Sequence, residues 1–152
     1  MYKSIVVFFL AFSGVIIVDQ SIKVIFLDGF RWYGEYFSLI LTYNKGVAFS
    51  MLSFLDENLK YIQLFLIFGI FIYLIYEREL FVKYSLPAGL ILGAGSSNIY
   101  DRFIHGGVVD YFFWHKWFNF AVFNLADVMI NIGVGIILLV SFLESKRANK
   151  SN

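Results

Sequence analysis

Four stretches of the chain are almost continuously apolar, and polar residues gather at their ends. A helix needs roughly 20 residues to cross the hydrocarbon core of a bilayer, and the runs at about 4–27, 59–76, 85–103 and 124–143 come close to that length. In the first run Asp19, Gln20 and Lys23 break the pattern near its far end. Asp19 and Lys23 are four apart and share a helix face, where they are expected either to pair at a water interface or to serve a site directly. Lys3 and the small-x-small triplet Ala11-Phe12-Ser13 also fit a cleavable secretory leader. The apolar character runs on through Val15-Ile16-Ile17-Val18 to Ile25-Phe26-Leu27, which favours a span. The third run opens on Ser85 and Pro87, a capping hydroxyl and then a proline where no N–H is needed. It carries Gly89, Gly93, Ala94, Gly95, Ser96 and Ser97, a small-residue face that lets another helix approach closely.

Between the runs the pattern changes. Phe37, Leu39, Leu41 and Tyr43 alternate with Ser38, Ile40 and Thr42, which predicts a strand. Asn44-Lys45-Gly46 predicts a turn, and Val47-Ala48-Phe49 a return strand. Glu77-Arg78-Glu79 and Lys83 predict a short polar hairpin, and residues 104–120 a loop with Gly106-Gly107 and the interfacial aromatics Tyr111, Phe112, Phe113, Trp114 and Trp117. The fold class is therefore an all-α membrane protein. Four transmembrane helices carry a small extracytoplasmic β-sheet, within residues 30–58, between the first and second helices. All 152 residues form one integral membrane domain.

Composition agrees. The chain is 60% hydrophobic and 15% charged, with a mean hydropathy of +0.75, too apolar for a surface facing water. A net charge of +1 gives no footprint for nucleic acid. The absence of cysteine excludes disulfides, thiolate metal sites and a cysteine nucleophile. Four spans joined by short loops leave both termini on one side. Lysine and arginine divide evenly, with Lys3, Arg78, Lys83, Lys146, Arg147 and Lys150 on the side of the termini and Lys23, Arg31, Lys45, Lys60, Arg102 and Lys116 opposite. The basic tail decides for cytoplasmic termini.

The chemistry concentrates between Asn98 and Asp127. Asp110 and Asp127 lie 17 positions apart, in or beside segments greasy enough for a membrane, where ionisable groups are costly and mark function. Two neighbouring carboxylates share one proton. The ionised one can take a proton from water while the protonated one polarises an amide carbonyl. A structural alternative stands beside this: Asn124 and Asp127 have the spacing of a helix cap. Asp101 and Arg102 are sequence neighbours, face apart on a helix, and are expected to pair elsewhere, though Arg102 also suits a substrate backbone. A serine dyad of Ser96 or Ser97 with His105 lacks its nucleophile elbow. A metal site of His105, Asp110 and His115 lacks a zinc motif. A proton-relay transporter or assembly factor built on Asp101, Asp110 and Asp127 would spread acids through the depth of the bundle, and these cluster near one end.

Five short motifs, in order, are Asp19-Gln20-x-x-Lys23, Asn44-x-Gly46-x-Ala48-Phe49, Asn98-x-x-Asp101-Arg102, Gly107-Val108-Val109-Asp110 and Asn124-x-Ala126-Asp127. Together, from Asp19 to the fourth span, the chain resembles lipoprotein signal peptidase (signal peptidase II), an aspartic peptidase family of the bacterial inner membrane. The resemblance implies Asp110 and Asp127 as the catalytic dyad. It implies Asn44, Asn98, Arg102 and Asn124 as substrate-binding residues, with Asp19, Lys23, Gly46 and Asp101 in support. It further implies cleavage of diacylglyceryl-modified prolipoproteins just before the lipidated cysteine, inhibition by globomycin, a periplasmic cradle around residues 36–50, and an active site on the extracytoplasmic face. No metal or other cofactor is implied. The expected partners are the lipoprotein substrates and membrane lipids, with the enzyme a monomer. Two positions depart from the family pattern. Residues 93–97 read Gly-Ala-Gly-Ser-Ser where Gly-Gly-Ala-x-Gly is usual, and Val128 follows the second aspartate where serine or threonine is common.

Overall fold

A computed structural model describes residues 1–46, 55 and 58–149. Its elements are α1 (Tyr2–Leu27), β1 (Trp32–Tyr33), β2 (Phe37–Asn44), α2 (Asn58–Tyr76), α3 (Arg78–His105), β3 (Val108–Trp114) and α4 (Leu125–Ala148). Helix α3 is the central post, packed along α1, α2 and α4. Gly89 and Gly93 make the closest of these approaches possible. A Cβ on Gly89 would sit 2.5 Å from the Phe8 carbonyl oxygen, and one on Gly93 2.5 Å from that of Phe12. The small-residue face read from the sequence thus brings the α1 backbone against α3.

Among the described residues α1, α2 and α4 are long and apolar enough to cross a membrane. Their outward faces carry Phe65, Tyr76 and Leu138, each more than half exposed, as suits a surface bathed in lipid. Helix α3, at 28 residues, is long enough but does not reach the same apolarity. Enclosed by the other three, it buries Ser85, Gly89, Gly93, Ser97, Asp101 and Arg102, residues suited to close packing and polar pairing.

The polar hairpin expected at 77–83 is instead a helical segment. Only Glu77 separates α2 from α3, and α3 bends at Tyr84 (φ −111°, ψ 21°). Pro87 supplies the cause, since its ring opposes the carbonyl four residues back and its nitrogen cannot bond there. The far end of α3 closes on Gly106, whose φ of 72° reverses the chain into β3.

The sheet has the antiparallel order β1-β2-β3. The return strand expected at Val47-Ala48-Phe49 lies outside the described residues. The neighbour that β2 does take is β3, from between α3 and α4, with Thr42 opposite Asp110 and Asn44 opposite Val108. The region 104–120 is therefore not a loop throughout. Val108–Trp114 carries no alternation because its first four residues are buried, so period two is invisible there. The register carries the end of β2 to the mouth of the helix bundle.

Candidate active site

The site is assembled where the C-terminal part of α1, the end of α3, the start of α4 and the β2–β3 pair converge. Its foundation is fully buried. Lys23 Nζ lies 2.6 Å from Asp19 Oδ2 and 2.6 Å from Asp101 Oδ2, with all three side chains essentially inaccessible. It donates a third bond to Asn98 Oδ1 at 2.9 Å. The expected interfacial pair of Asp19 and Lys23 is thus an internal triad. The remaining carboxylate lone pairs are met by the Ala126 N–H on Asp19 (3.0 Å), the Val109 N–H on Asp101 (3.1 Å) and the Gln20 amide on Asp101 (2.8 Å). Burial of charge is tolerable only with such saturation. Asp101 and Arg102 face apart, as helix neighbours must.

Ser97, one of the departures, is drawn into this foundation. Its hydroxyl donates to Asp19 Oδ2 at 2.7 Å and accepts from Gln20 Nε2 at 2.9 Å. That excludes it as a nucleophile partnered by His105, whose ring lies by Tyr43. His115 bonds Ser38 Oγ at 2.9 Å, so His105, Asp110 and His115 do not converge.

Above the triad, asparagines hold the two aspartates. Asn98 accepts from Lys23 and donates to Asp127 Oδ1 at 3.0 Å. Asn124 Nδ2 donates to Asp110 Oδ1 at 2.7 Å and to Asn98 Oδ1 at 3.1 Å. Asn44 Nδ2 donates to Asp110 Oδ2 at 3.1 Å. Asn124 and Asp127 also form the reciprocal cap of α4, with Asp127 N–H on Asn124 Oδ1 at 3.0 Å and Asn124 N–H on Asp127 Oδ2 at 3.2 Å. The cap read from the spacing is present, and it fixes the Asp127 carboxylate beside Asp110 without enclosing it. Both aspartates line one cavity of about 600 Å³, with Asn44, Asn98 and Arg102 and apolar walls from residues 120–123, Val128 and Ile130. Burial first, and the neighbouring Asp127 charge second, push the Asp110 carboxyl up to about 7.

Arg102 is turned toward the polar turn after β2. Its guanidinium donates to the carbonyls of Asn44 (3.4 Å), Lys45 (3.2 Å) and Gly46. Asn44 Oδ1 in turn accepts the Gly46 N–H at 3.0 Å. The turn that delivers Asn44 to Asp110 is therefore tied to α3. A lysine at this position would bring one point charge and could not hold three carbonyls in a fork. Arg102→Lys is expected to lower the thermal midpoint in detergent and to reduce turnover about tenfold, the loss of roughly one charged hydrogen bond. Unchanged values would show that the turn holds itself.

Two contributors escaped the sequence reading. Tyr111, expected at a membrane boundary, is buried, stacks on Phe26 with ring centres 4.4 Å apart, and accepts the Leu125 N–H on its hydroxyl at 3.0 Å. Burial pushes that hydroxyl up to about 12. Adjacent residues of a strand face opposite ways, so Asp110 on one face of β3 sets Tyr111 on the other; that signal was legible once β3 was recognised. Gln63, from α2, also lines the cavity, and nothing in its spacing marked it.

An apolar helical bundle that holds two hydrogen-bonded carboxylates open to a cavity at one end has the build of a membrane-embedded hydrolase. The comparisons narrow this class. The family model described as Signal peptidase (SPase) II matches residues 11–143. A lipoprotein signal peptidase of Sulfurimonas denitrificans is 57% identical over 92% of this chain and 90% of its own. One from Campylobacter jejuni is 56% identical over 96% and 94%, and one from Helicobacter pylori 51% over 97% and 94%. A bacterial membrane enzyme solved by the in meso method at 2.3 Å resolution superposes with a TM-score of 0.72 at 25% identity, over 96% of this chain and 90% of that one. The chain belongs to the signal peptidase II family, and it is a membrane peptidase.

Proposed function

We propose that this peptidase removes signal peptides from diacylglyceryl-modified prolipoproteins, cutting N-terminal to the lipidated cysteine, with Asp110 and Asp127 as its catalytic pair. The observation that carries the reading is the shared cavity onto which both aspartates open, bridged through Asn124. Asn44 and Asn124 donate to both oxygens of Asp110. Its elevated pKa suits it to hold the shared proton. Asp127, steadied by Asn98 and by its own cap, takes a proton from the attacking water. Water oxygen bonds to the carbonyl carbon while Asp110 protonates the carbonyl oxygen. Asp127 then returns its proton to the leaving amine as the C–N bond breaks, and Asp110 takes its proton back from the geminal diol as the new carbonyl forms. No covalent intermediate forms on the protein.

The alkaline limb of the pH profile follows from the sign of the Asp110 shift. The proton is required on Asp110 and is lost as pH rises through about 7. Turnover is therefore expected to fall roughly tenfold per pH unit well above 7. A rate that stays flat to pH 9 would remove Asp110 from the acid role.

The test of the whole reading is cleavage of a diacylglyceryl-modified prolipoprotein peptide by purified protein. Cutting before the modified cysteine, inhibition by globomycin and indifference to a chelator are expected. A folded but inert protein would sink the reading. The same reading puts the chain in the bacterial inner membrane as a monomer, since one chain supplies the described cavity lining. It puts both termini in the cytoplasm and the sheet and dyad on the outer side, with lipids against the exposed faces of α1, α2 and α4. Because the chain has no cysteine, single cysteines introduced at Glu35 and Asn149 report orientation directly. An impermeant thiol reagent on intact spheroplasts should label the first alone.

A further inference from the structure

Among the described residues two buried side-chain polar atoms have no hydrogen-bond partner, Gln63 Oε1 and Arg102 Nε. Both residues line the cavity that holds Asp110 and Asp127. One atom is an acceptor and the other a donor. They come from facing helices, α2 and α3, whose adjoining ends meet through Tyr61 and Phe103 at 5.8 Å between ring centres. Gln63 is the single amide of α2 beyond its first residue, Asn58. The rest of that helix is Phe-, Ile- and Leu-rich, a setting in which an unpaired amide oxygen is unfavourable. An orphaned buried polar atom in a native fold calls for an explanation, and a group supplied from outside is one.

The substrate is such a source. A peptide bond presented to two carboxylates must be extended. Its own N–H and C=O groups then lack helical partners at the very depth where water is scarce. The cavity must supply one acceptor for each N–H and one donor for each C=O that enters. We propose that Gln63 is a substrate-binding residue, its Oε1 accepting a backbone N–H of the bound peptide beside Arg102, which the family resemblance already implies as substrate-binding. This rests on the peptidase reading above and adds to it a contact from α2, the helix that contributes nothing else polar to the described cavity lining.

The test uses the full chain in detergent and the lipid-modified peptide. Gln63→Met keeps the side-chain volume and removes the acceptor. A KM raised about fivefold to tenfold is expected, the worth of one neutral hydrogen bond, with kcat within about twofold. The thermal midpoint should stay or rise, because no orphaned oxygen remains. A residue serving only the fold would instead leave KM unchanged and lower the midpoint and kcat. A second series replaces each non-scissile amide N–H of the peptide, one at a time, by an ester oxygen. At one position the ester should raise the wild-type KM by a similar factor and have no further effect on Gln63→Met. A KM unchanged by the substitution overturns the proposal, as do ester effects that all survive it, or a lowered midpoint with lowered kcat. Wild-type protein that fails to cut the peptide would instead defeat the peptidase reading, and this contact with it.

Discussion

Asparagine in place of either Asp110 or Asp127 is expected to lower cleavage by at least about 10³-fold, since each change removes one partner of the proton transfer proposed for the pair. The two variants should differ in how they disturb the fold. Both oxygens of Asp110 accept from amide donors, Asn124 Nδ2 and Asn44 Nδ2. Asp110→Asn turns one of those acceptors into a second N–H2 facing a donor, which costs about 1 kcal/mol. The same change removes a buried carboxylate whose ionisation is resisted by desolvation and by Asp127. The opposing terms leave the thermal midpoint near that of the wild type. In Asp127→Asn the cap survives if the amide oxygen accepts the Asn124 N–H, but the other position then meets the Asn98 amide. A drop of about 1 kcal/mol is expected there. Steady-state cleavage and thermal unfolding, measured on the same preparations, separate these effects. Cleavage by Asp127→Asn within tenfold of wild type would reduce that carboxylate to the cap of α4.

The parts of this site legible in the sequence were those written in local spacing. Asp19 and Lys23 are one helical turn apart. Asn124 and Asp127 stand at capping distance, and Asn98 and Arg102 share a face of α3. Each follows from a period of 3.6 residues. The strand at 37–43 was equally legible because its residue types alternate along the sequence, although its burial does not. What spacing could not show was burial. Asp19 and Lys23 read as an interfacial pair, since their third partner, Asp101, is 78 positions on from Lys23 in the sequence, on another helix. The β2–β3 pairing was hidden for the same reason: its ladder joins Thr42 to Asp110 across two intervening helices. The bend at Tyr84 had a visible cause in Pro87, yet the charged residues before it looked like a surface hairpin when they are good helix formers. Gln63 illustrates the limit most clearly. A lone glutamine in an apolar helix gains meaning only from the cavity it faces.

The second large effect is expected far from the scissile bond. Lys23→Met removes the only cation that touches Asp19 and Asp101 among the described residues, and leaves two carboxylates buried and uncompensated. Breaking a buried ion pair from one side costs about 3–5 kcal/mol. That is a large share of the roughly 5–15 kcal/mol by which domains are stable. The midpoint should fall steeply, or the protein should fail to accumulate in the membrane. Catalysis should fail even in the fraction that folds. Lys23 Nζ steadies Asn98 Oδ1, and Asn98 Nδ2 steadies Asp127 Oδ1, so the substitution loosens the Asn98 side of the proposed pair and leaves Asp127 held by its α4 cap alone. The diagnostic experiment is the double variant Asp19→Asn with Lys23→Met. It leaves one carboxylate, Asp101, which keeps the Gln20 and Val109 donors. If the charges act as a unit, the double variant is more stable than Lys23→Met alone, and its loss falls short of the summed losses of Asp19→Asn and Lys23→Met by about 1–3 kcal/mol, a coupling of the size seen for groups in one network. Cleavage should return far less than stability does, because Asn98 still lacks its lysine. Additive losses would mean that Lys23 acts through packing, and that the three side chains meet without depending on one another.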